Sequence, residues 1–485
     1  MVDSKAVSGV CFDINKDIRT CKFFYLMKYA VGIMYILSAA ILPIWISFFI
    51  CLILLILSFT PVFQKAAALF NLTDEEKLRQ LKFDFRMLFG ISALSFATAI
   101  LFGLYGGGLG IEFPSFLIFQ ALAVTIFSTR SWFCLFNRVT LYEDIHEKDS
   151  FKNISLFYEF FLIALRVLGA FLAGLWVASF TGYDLTPDFI NRLFFIAMIG
   201  AFIGSLFEAI PSKINSNASI YLSAFFSMWI LFIINYQTPW SETALAALFS
   251  VILAFLAYRY KVADITALFS AAVLGILIIL FTNLWWYILL VAFFIFGGGF
   301  TKYKFQQKKA AGLAESKTGI RSYENVFSNS IWALIIAVLY GILGQHPDFG
   351  WLATPLVFAY VGTVATATGD TMASEIGVTA KGTTYMITNF RKALPGEDGG
   401  VSLLGEFAAL AGSVIIGLLA FGFGMIGSLV LSLAVAIIGG FLGTNIDSVL
   451  GAVLQKRGYL TNSGVNIVST LAGAIISFAL FFLFF

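Results

Sequence analysis

ALIIAVLYGIL, Ala333 to Leu343, decides the class of fold. Its apolar residues run on without alternation, unlike a transmembrane β-strand, whose side chains point in turn to lipid and to a polar lumen. Extended to 328–344 it makes one helical crossing of a hydrocarbon core about 30 Å thick. Comparable runs recur near 87–104, 114–136, 156–178, 192–209, 218–235, 242–258, 262–281 and 284–300, then near 351–369, 403–421, 426–448 and 465–485. The stretch from Phe23 to Thr60, broken at Pro43, predicts a tight hairpin of two short spans. The expected fold is an all-α polytopic membrane protein of about 15 transmembrane helices. Composition agrees: 60% of the 485 residues are hydrophobic and 12% charged, against roughly 25% charged in soluble domains.

Lys and Arg accumulate in short cytoplasmic loops, and most of the 30 in this chain fall on one side of the expected topology. They lie in Lys65–Arg86, Arg138–Lys152, Lys302–Arg321 and Lys381–Lys392, and at Lys213, Arg259, Lys261, Lys456 and Arg457, while YGGGLG (105–110) and TGYDLTPD (181–188) carry none. The N-terminus is therefore expected in the cytoplasm and the C-terminus outside, in a multi-pass protein of the cell membrane. A net charge of +3 gives no reason to expect a nucleic-acid partner. Cys11, Cys21, Cys51 and Cys134 lack metal-ligand spacing and are expected as free thiols. The polar first 22 residues do not resemble a signal peptide. The oligomeric state is not legible.

Carboxylates at or within membrane spans are costly and tend to face cavities. Four clusters stand out. TATGDTMASEIG (Thr366–Gly377) ends a Thr/Gly-rich span with Asp370 and Glu375, where small residues admit a phosphate and an acid can hold a divalent cation. The plainer reading is a helix end, with Asp370 capping a short helix. PGEDGGVS (Pro395–Ser402) could offer a backbone nest at Gly399 and Gly400 ahead of a helix N-terminus, or could be a turn with Asp398 as its cap. Gly443–Asn466 places Asp447 in an otherwise uncharged span, and Asp447, Asn462 and Asn466 could complete a metal or phosphate shell or simply bond between helices. Gly297–Asn329 is strongly basic: Lys302, Lys304 and Arg321 are candidates to hold phosphate, Asn329 enters the next span, and Lys308 and Lys309 look like headgroup charges. There is no GxxxxGK[ST] loop, and His146 and His346 lie in loops on opposite sides. Acids for Mg²⁺ with basic and backbone donors for phosphate are the equipment of phosphoryl transfer.

Residues 240–485 resemble the phytyl-phosphate kinase family of plant vitamin E synthesis and its bacterial, archaeal and animal relatives. The resemblance rests on FSAAVLG (269–275), GGGFTKYK (297–304), GIRSYENVFSN (319–329), ATGDTMASEIG (367–377), PGEDGGVS (395–402) and NIDSVLGAVLQ (445–455). It implies an integral-membrane kinase that converts an isoprenyl monophosphate to the diphosphate at the cytoplasmic face, with cytidine triphosphate (CTP) as donor. In that role Asp370 and Asp447 would hold Mg²⁺, Gly399 and Gly400 would cradle phosphate, and Glu375 or Asp398 would orient the attacking oxygen.

The first half is similar, more weakly, to the phytol and dolichol kinase group through Glu208, Pro211 and Asn217 in Gly204–Leu231. Asn215 and Ser216 replace that group's acids, and STRSWFCLFNR (128–138) stands where a Gly-Asp motif is expected. The expected organisation is thus a degenerate kinase-like domain over 1–238 and a catalytic domain over 239–485. Two rivals share parts of this equipment: a secondary transporter, which would carry its charges near the bilayer midplane, and a CTP-dependent lipid cytidylyltransferase, which would release pyrophosphate.

Overall fold

The computed structural model describes residues 42–61, 114–127, 156–209, 215–313, 320–344, 347–380 and 382–485, with short pieces of 32–37 and 83–101. The chain divides into two compact units, Met1–Gln237 and Thr238–Phe485. Its described residues hold nine helices long and apolar enough to cross a membrane and four shorter apolar ones. The protein is an all-α polytopic membrane protein. Most of the first half of the expected hairpin, before Pro43, lies outside the described residues, as do parts of the 87–104 span.

In the first unit, α1 (Ile44–Leu57), α2 (Ser115–Ile126), α3 (Leu156–Phe180), α4 (Pro187–Ala209) and α5 (Ser216–Ile233) are helical. Helix α2 is buried from Phe116 to Ile126 and is surrounded by α3, α4 and α5, as befits a helix that is apolar on every side. Arg166 of α3 is buried beside it, donating from Nε to the Phe127 carbonyl at 2.9 Å and pairing with Glu208 and Ser205. Glu208 is therefore half of a buried ion pair. Asn215 caps α5, its Oδ1 accepting from the Asn217 N–H at 3.0 Å. Pro211 and the 128–138 segment lie outside the described residues.

The second unit contains α6 (Trp240–Arg259), α7 (Ile265–Phe281), α8 (Leu284–Lys302), the short α9 (Phe305–Ala310), α10 (Tyr323–Leu343) and α11 (Ala353–Gly377). It continues with α12 (Leu403–Gly422), α13 (Leu429–Leu450), a π-helical turn at Gly451–Gln455 and α14 (Asn462–Phe484). Helix α6 buries only a stripe, Thr243, Ala246, Ser250 and Ala254, at spacings that define one helical face. Its exposed Leu245, Leu248, Phe249 and Ile252 suit lipid as solvent.

Helix α11 is the hub, packed against α8, α10, α12, α13 and α14. Apolar burial cannot drive helices together in lipid, so close backbone approach and hydrogen bonds must. Thr363, Thr366 and Thr368 return their hydroxyl protons to carbonyls one turn earlier at 2.8–2.9 Å, and Thr366 also reaches the Gly439 carbonyl at 3.2 Å. At Gly369 a Cβ would stand 2.8 Å from Thr444 Oγ1 and 3.1 Å from the Ala409 carbonyl oxygen. Gly369→Val therefore forces α12 and α13 away from the hub; the expected loss is about 1–3 kcal/mol, read as a lowered unfolding temperature in detergent.

The span expected to end near 369 continues to Gly377, so Asp370 lies inside a helix and caps none. A second departure lies between α11 and α12, where β1 (Thr384–Met386), β2 (Lys392–Ala393) and β3 (Gly400–Ser402) form a small antiparallel sheet in the order β2-β1-β3. Thr384 pairs with Ala393 on one side and with Ser402 on the other.

Candidate functional site

Five helix ends meet around a cavity of about 450 Å³. The first turns of α10 bring Asn325 and Asn329, the last turns of α11 bring Asp370, Thr371 and Glu375, and α12 begins with Gly405 and Glu406. The end of α13 supplies Asp447 and Ser448, its π-helical turn Gly451 and Gln455, and the start of α14 Asn462 and Asn466. Arg321 and the segment Pro395–Ser402 close the remaining sides. At 1.5 Å per residue Asp370 stands ~26 Å along α11 from Ala353, and Asp447 ~27 Å along α13 from Leu429. Both acids thus lie in the last third of their helices, toward the cavity end and not at the middle.

Among the described residues, six carboxylates line the cavity, from Asp370, Glu375, Glu397, Asp398, Glu406 and Asp447, against the guanidinium of Arg321. Several of these acids are held in place. Asp447 Oδ2 accepts from Ser469 Oγ at 2.8 Å, Glu406 from Asn445 Nδ2 at 3.2 Å, and Asp398 from Gln455 Nε2 at 2.9 Å. Glu397 accepts from Lys456 Nζ at 2.6 Å and from the Leu394 N–H at 3.1 Å. The Lys456 hydrogen bond, helped by that N–H, holds the Glu397 carboxyl below its ordinary 4.5. A lowered folded-state pKa stabilises the fold above the unfolded value and is lost as pH falls through the lowered one. Protection of the Leu394 amide, relative to its intrinsic exchange rate at each pH, should therefore fall as pH drops below 4.5; a Lys456→Met variant, lacking the main cause, should show a weaker acid response.

Arg321 is fixed from several directions. Its backbone bridges to Ala263, with N–H to the Val262 carbonyl at 3.0 Å and its carbonyl accepting from the Asp264 N–H at 3.0 Å. The guanidinium lies 5.1 Å from the Phe293 ring centroid and donates to Thr371 Oγ1 at 3.4 Å. A Cβ on Gly297 would stand 2.5 Å from Arg321 Nη2. Gly297, the first glycine of GGGFTKYK, thus makes a slot for an arginine that comes later in the chain.

Lys302 and Lys304 lie outside the cavity lining. Lys302 donates to the Tyr260 carbonyl at 2.8 Å, and Lys304 stands 5.1 Å from the Tyr303 ring. The reading of Lys308 as a headgroup charge is overturned. Helix α9 folds it back under α8, where it is 3% exposed, donates to the Phe300 and Thr301 carbonyls at 3.0 and 3.1 Å, and pairs with Glu375. Among the described residues, Glu375 Oε1 is buried without a hydrogen-bond partner, on a residue that lines the cavity. No signal in FQQKKA separates Lys308 from Lys309.

The expected nest at Gly399 and Gly400 is altered too. The Gly400 N–H is taken by the Glu397 carbonyl at 2.8 Å, closing a turn. Gly399, at φ +80, is needed for its shape: a Cβ there would fall 2.4 Å from Ala452 Cβ on the π-helical turn. The helix that follows is capped by Ser402, whose Oγ accepts from the Gly405 N–H at 3.2 Å. Asn329 donates to the Asn325 carbonyl at 3.0 Å, and Asn462 and Asn466, four apart on α14, share a helical face.

Among the described residues no three His, Cys, Asp or Glu side chains form a protein metal cage. The oxygen-only donors that line the cavity still suit Mg²⁺, which is commonly held by one or two carboxylates together with substrate phosphates and water. The surplus of acid would repel a bare polyphosphate and accept one that carries a divalent cation.

The site thus defines a polytopic membrane protein with a polar, acid-rich cavity at one end of a helical bundle. The chain belongs to the integral membrane protein family DUF92, which matches residues 248–474. It is 35% identical over 187 residues to an uncharacterized membrane protein of Synechocystis, covering 38% of this chain and 69% of the relative. An uncharacterized membrane protein of Methanocaldococcus jannaschii is 29% identical over 225 residues, or 46% and 88% of the two chains. The Arabidopsis thaliana protein VTE6, chloroplastic, is 30% identical over 189 residues, or 38% and 55%. No solved structure matches the chain.

Proposed function

We propose that the protein is a membrane-embedded phosphotransferase that converts an isoprenyl monophosphate, of the phytyl or geranylgeranyl type, to the diphosphate at the cytoplasmic face of the cell membrane. The donor is a nucleoside triphosphate, CTP in this reading. The observation that carries it is the cavity at one end of the bundle, which collects Asp370, Asp447, Arg321, Asn329, Asn462 and Asn466. These residues lie within the family segment, as do all six motifs of the kinase resemblance. Placement at a helix-end surface favours a reaction between a soluble nucleotide and a lipid headgroup over the midplane site of a transporter.

In this reading an oxygen of the acceptor phosphate attacks the γ-phosphorus of the donor, the bond to the β–γ bridging oxygen breaks, and the nucleoside diphosphate leaves with that electron pair. Mg²⁺ on Asp370 and Asp447 would neutralise developing charge on the phosphates. Arg321 would offer its fork to the acceptor or donor phosphate, and the Asn side chains would donate to phosphate or sugar oxygens. The acceptor is already ionised, so positioning and charge neutralisation carry the acceleration and a strong general base is not needed.

The test is purified protein in lipid with Mg²⁺, γ-labelled CTP or other nucleoside triphosphates, and an isoprenyl monophosphate or the free prenol. The expected result is labelled diphosphate from the monophosphate alone, because Asn215 and Ser216 stand where the phytol and dolichol kinase group carries acids. Release of pyrophosphate with transfer of the nucleotidyl group would select the cytidylyltransferase reading instead. Transfer to the free prenol would make the first unit an active kinase.

A further inference from the structure

The hairpin of β1–β3 carries an outward surface that the cavity does not use. It joins the end of α11 to the start of α12, two spanning helices, so its backbone lies where they leave the hydrocarbon. Along β1 Thr384 and Met386 are buried and Tyr385 points out, opposite Lys392. Phe390 at the tip is 79% exposed, Leu394 74%, and Leu403 and Phe407, one turn apart on α12, are also exposed.

The tip is a defined turn. The Phe390 N–H donates to the Met386 carbonyl at 2.9 Å and the Arg391 N–H to Asn389 Oδ1 at 3.0 Å. Phe390 sits at φ +52, a backbone that suits glycine or asparagine and is an outlier for a bulky side chain. A large ring is thus kept at a strained and exposed position. Arg391 and Lys392 follow it, both exposed. The Lys456–Glu397 ion pair fastens a second turn alongside, which adds the exposed Arg457 and Tyr459. The acids of this segment, Glu397 and Asp398, are bonded to Lys456 and Gln455 and line the cavity. Outside, the surface is apolar and cationic; inside, it is anionic.

We propose that this hairpin rests in the headgroup layer as a binding surface for anionic lipid. Phe390 and Leu394 dip to the acyl boundary, Tyr385 and Tyr459 lie at headgroup level, and Arg391, Lys392 and Arg457 meet lipid phosphates. Exposed aromatics beside basic side chains are the combination that holds protein segments at an anionic membrane surface. The same segment forms one wall of the cavity, so its seating would set the cavity mouth at headgroup depth. The proposal does not rest on the reaction proposed above.

The test uses full-length protein with its four native cysteines replaced and Phe390→Cys carrying an environment-sensitive fluorophore. The purified protein is reconstituted in phosphatidylcholine vesicles with or without phosphatidylglycerol. The label is expected to be quenched by lipids spin-labelled near the headgroup and shielded from aqueous iodide, more strongly with the anionic lipid. Arg391→Gln with Lys392→Gln should weaken that anionic-lipid engagement, by about fivefold per charge removed. Iodide access equal to that of free dye, or lipid quenching indifferent to both the anionic lipid and the two substitutions, would overturn the proposal. Shielding in native membranes that is absent from purified vesicles would also overturn it, by assigning the surface to a protein partner.

Discussion

Asp370→Asn and Asp447→Asn should each slow phosphoryl transfer by about a hundredfold or more while leaving the protein monodisperse in detergent. Each substitution keeps the shape of the side chain and removes one charge. Asp447 Oδ2 accepts a hydroxyl proton from Ser469 at 2.8 Å, a bond that an asparagine oxygen can keep. Loss of Mg²⁺-supported turnover without loss of fold would place the two acids on the metal–nucleotide. Rising Mg²⁺ should recover part of the activity of either variant, because a weakened shell can be filled by mass action. Wild-type turnover in either variant would remove that residue from the site, and inactivity accompanied by unfolding would return it to helix packing.

The spanning helices are legible because lipid leaves the backbone few choices: every amide must be satisfied within the segment, so length and apolarity locate each crossing. The same economy marks much of the cavity. Asp370, Asp447, Asn462 and Asn466 are polar residues near the ends of apolar runs, and adjacent antiparallel helices bring such ends to one surface. What was not legible depends on long-range geometry. The helix end beyond residue 369 is concealed because the charge of Glu375 is answered by Lys308, 67 residues away in sequence. Lys302, Lys304 and Lys308 lie in one basic stretch, and only the turn into α9 decides which is buried. The sheet has strands of three, two and three residues, too short for alternation to declare them. Nothing in the sequence gives Gly297 its role until the guanidinium of Arg321 is seen against it.

The Lys308–Glu375 pair supplies the largest expected effect on folding. Lys308→Met leaves a buried carboxylate without its partner and two carbonyls at the end of α8 without their shared donor. Removing one side of such a pair costs about 3–5 kcal/mol, and for a unit of this size the unfolding temperature should fall by about 10 °C or more. Adding Glu375→Gln removes the uncompensated charge, so the double variant should recover much of that loss. Activity separates the two roles of the pair. If Glu375 only anchors α9 to α11, turnover should return together with stability. Its Oε1, however, is buried, has no hydrogen-bond partner among the described residues and belongs to a residue that lines the cavity, which is how an acceptor waiting for a ligand's donor would stand. The stable double variant should therefore remain at least about tenfold impaired, because a neutral amide replaces a charged acceptor. Full turnover in that background would leave the pair a purely structural fastening of the cavity wall.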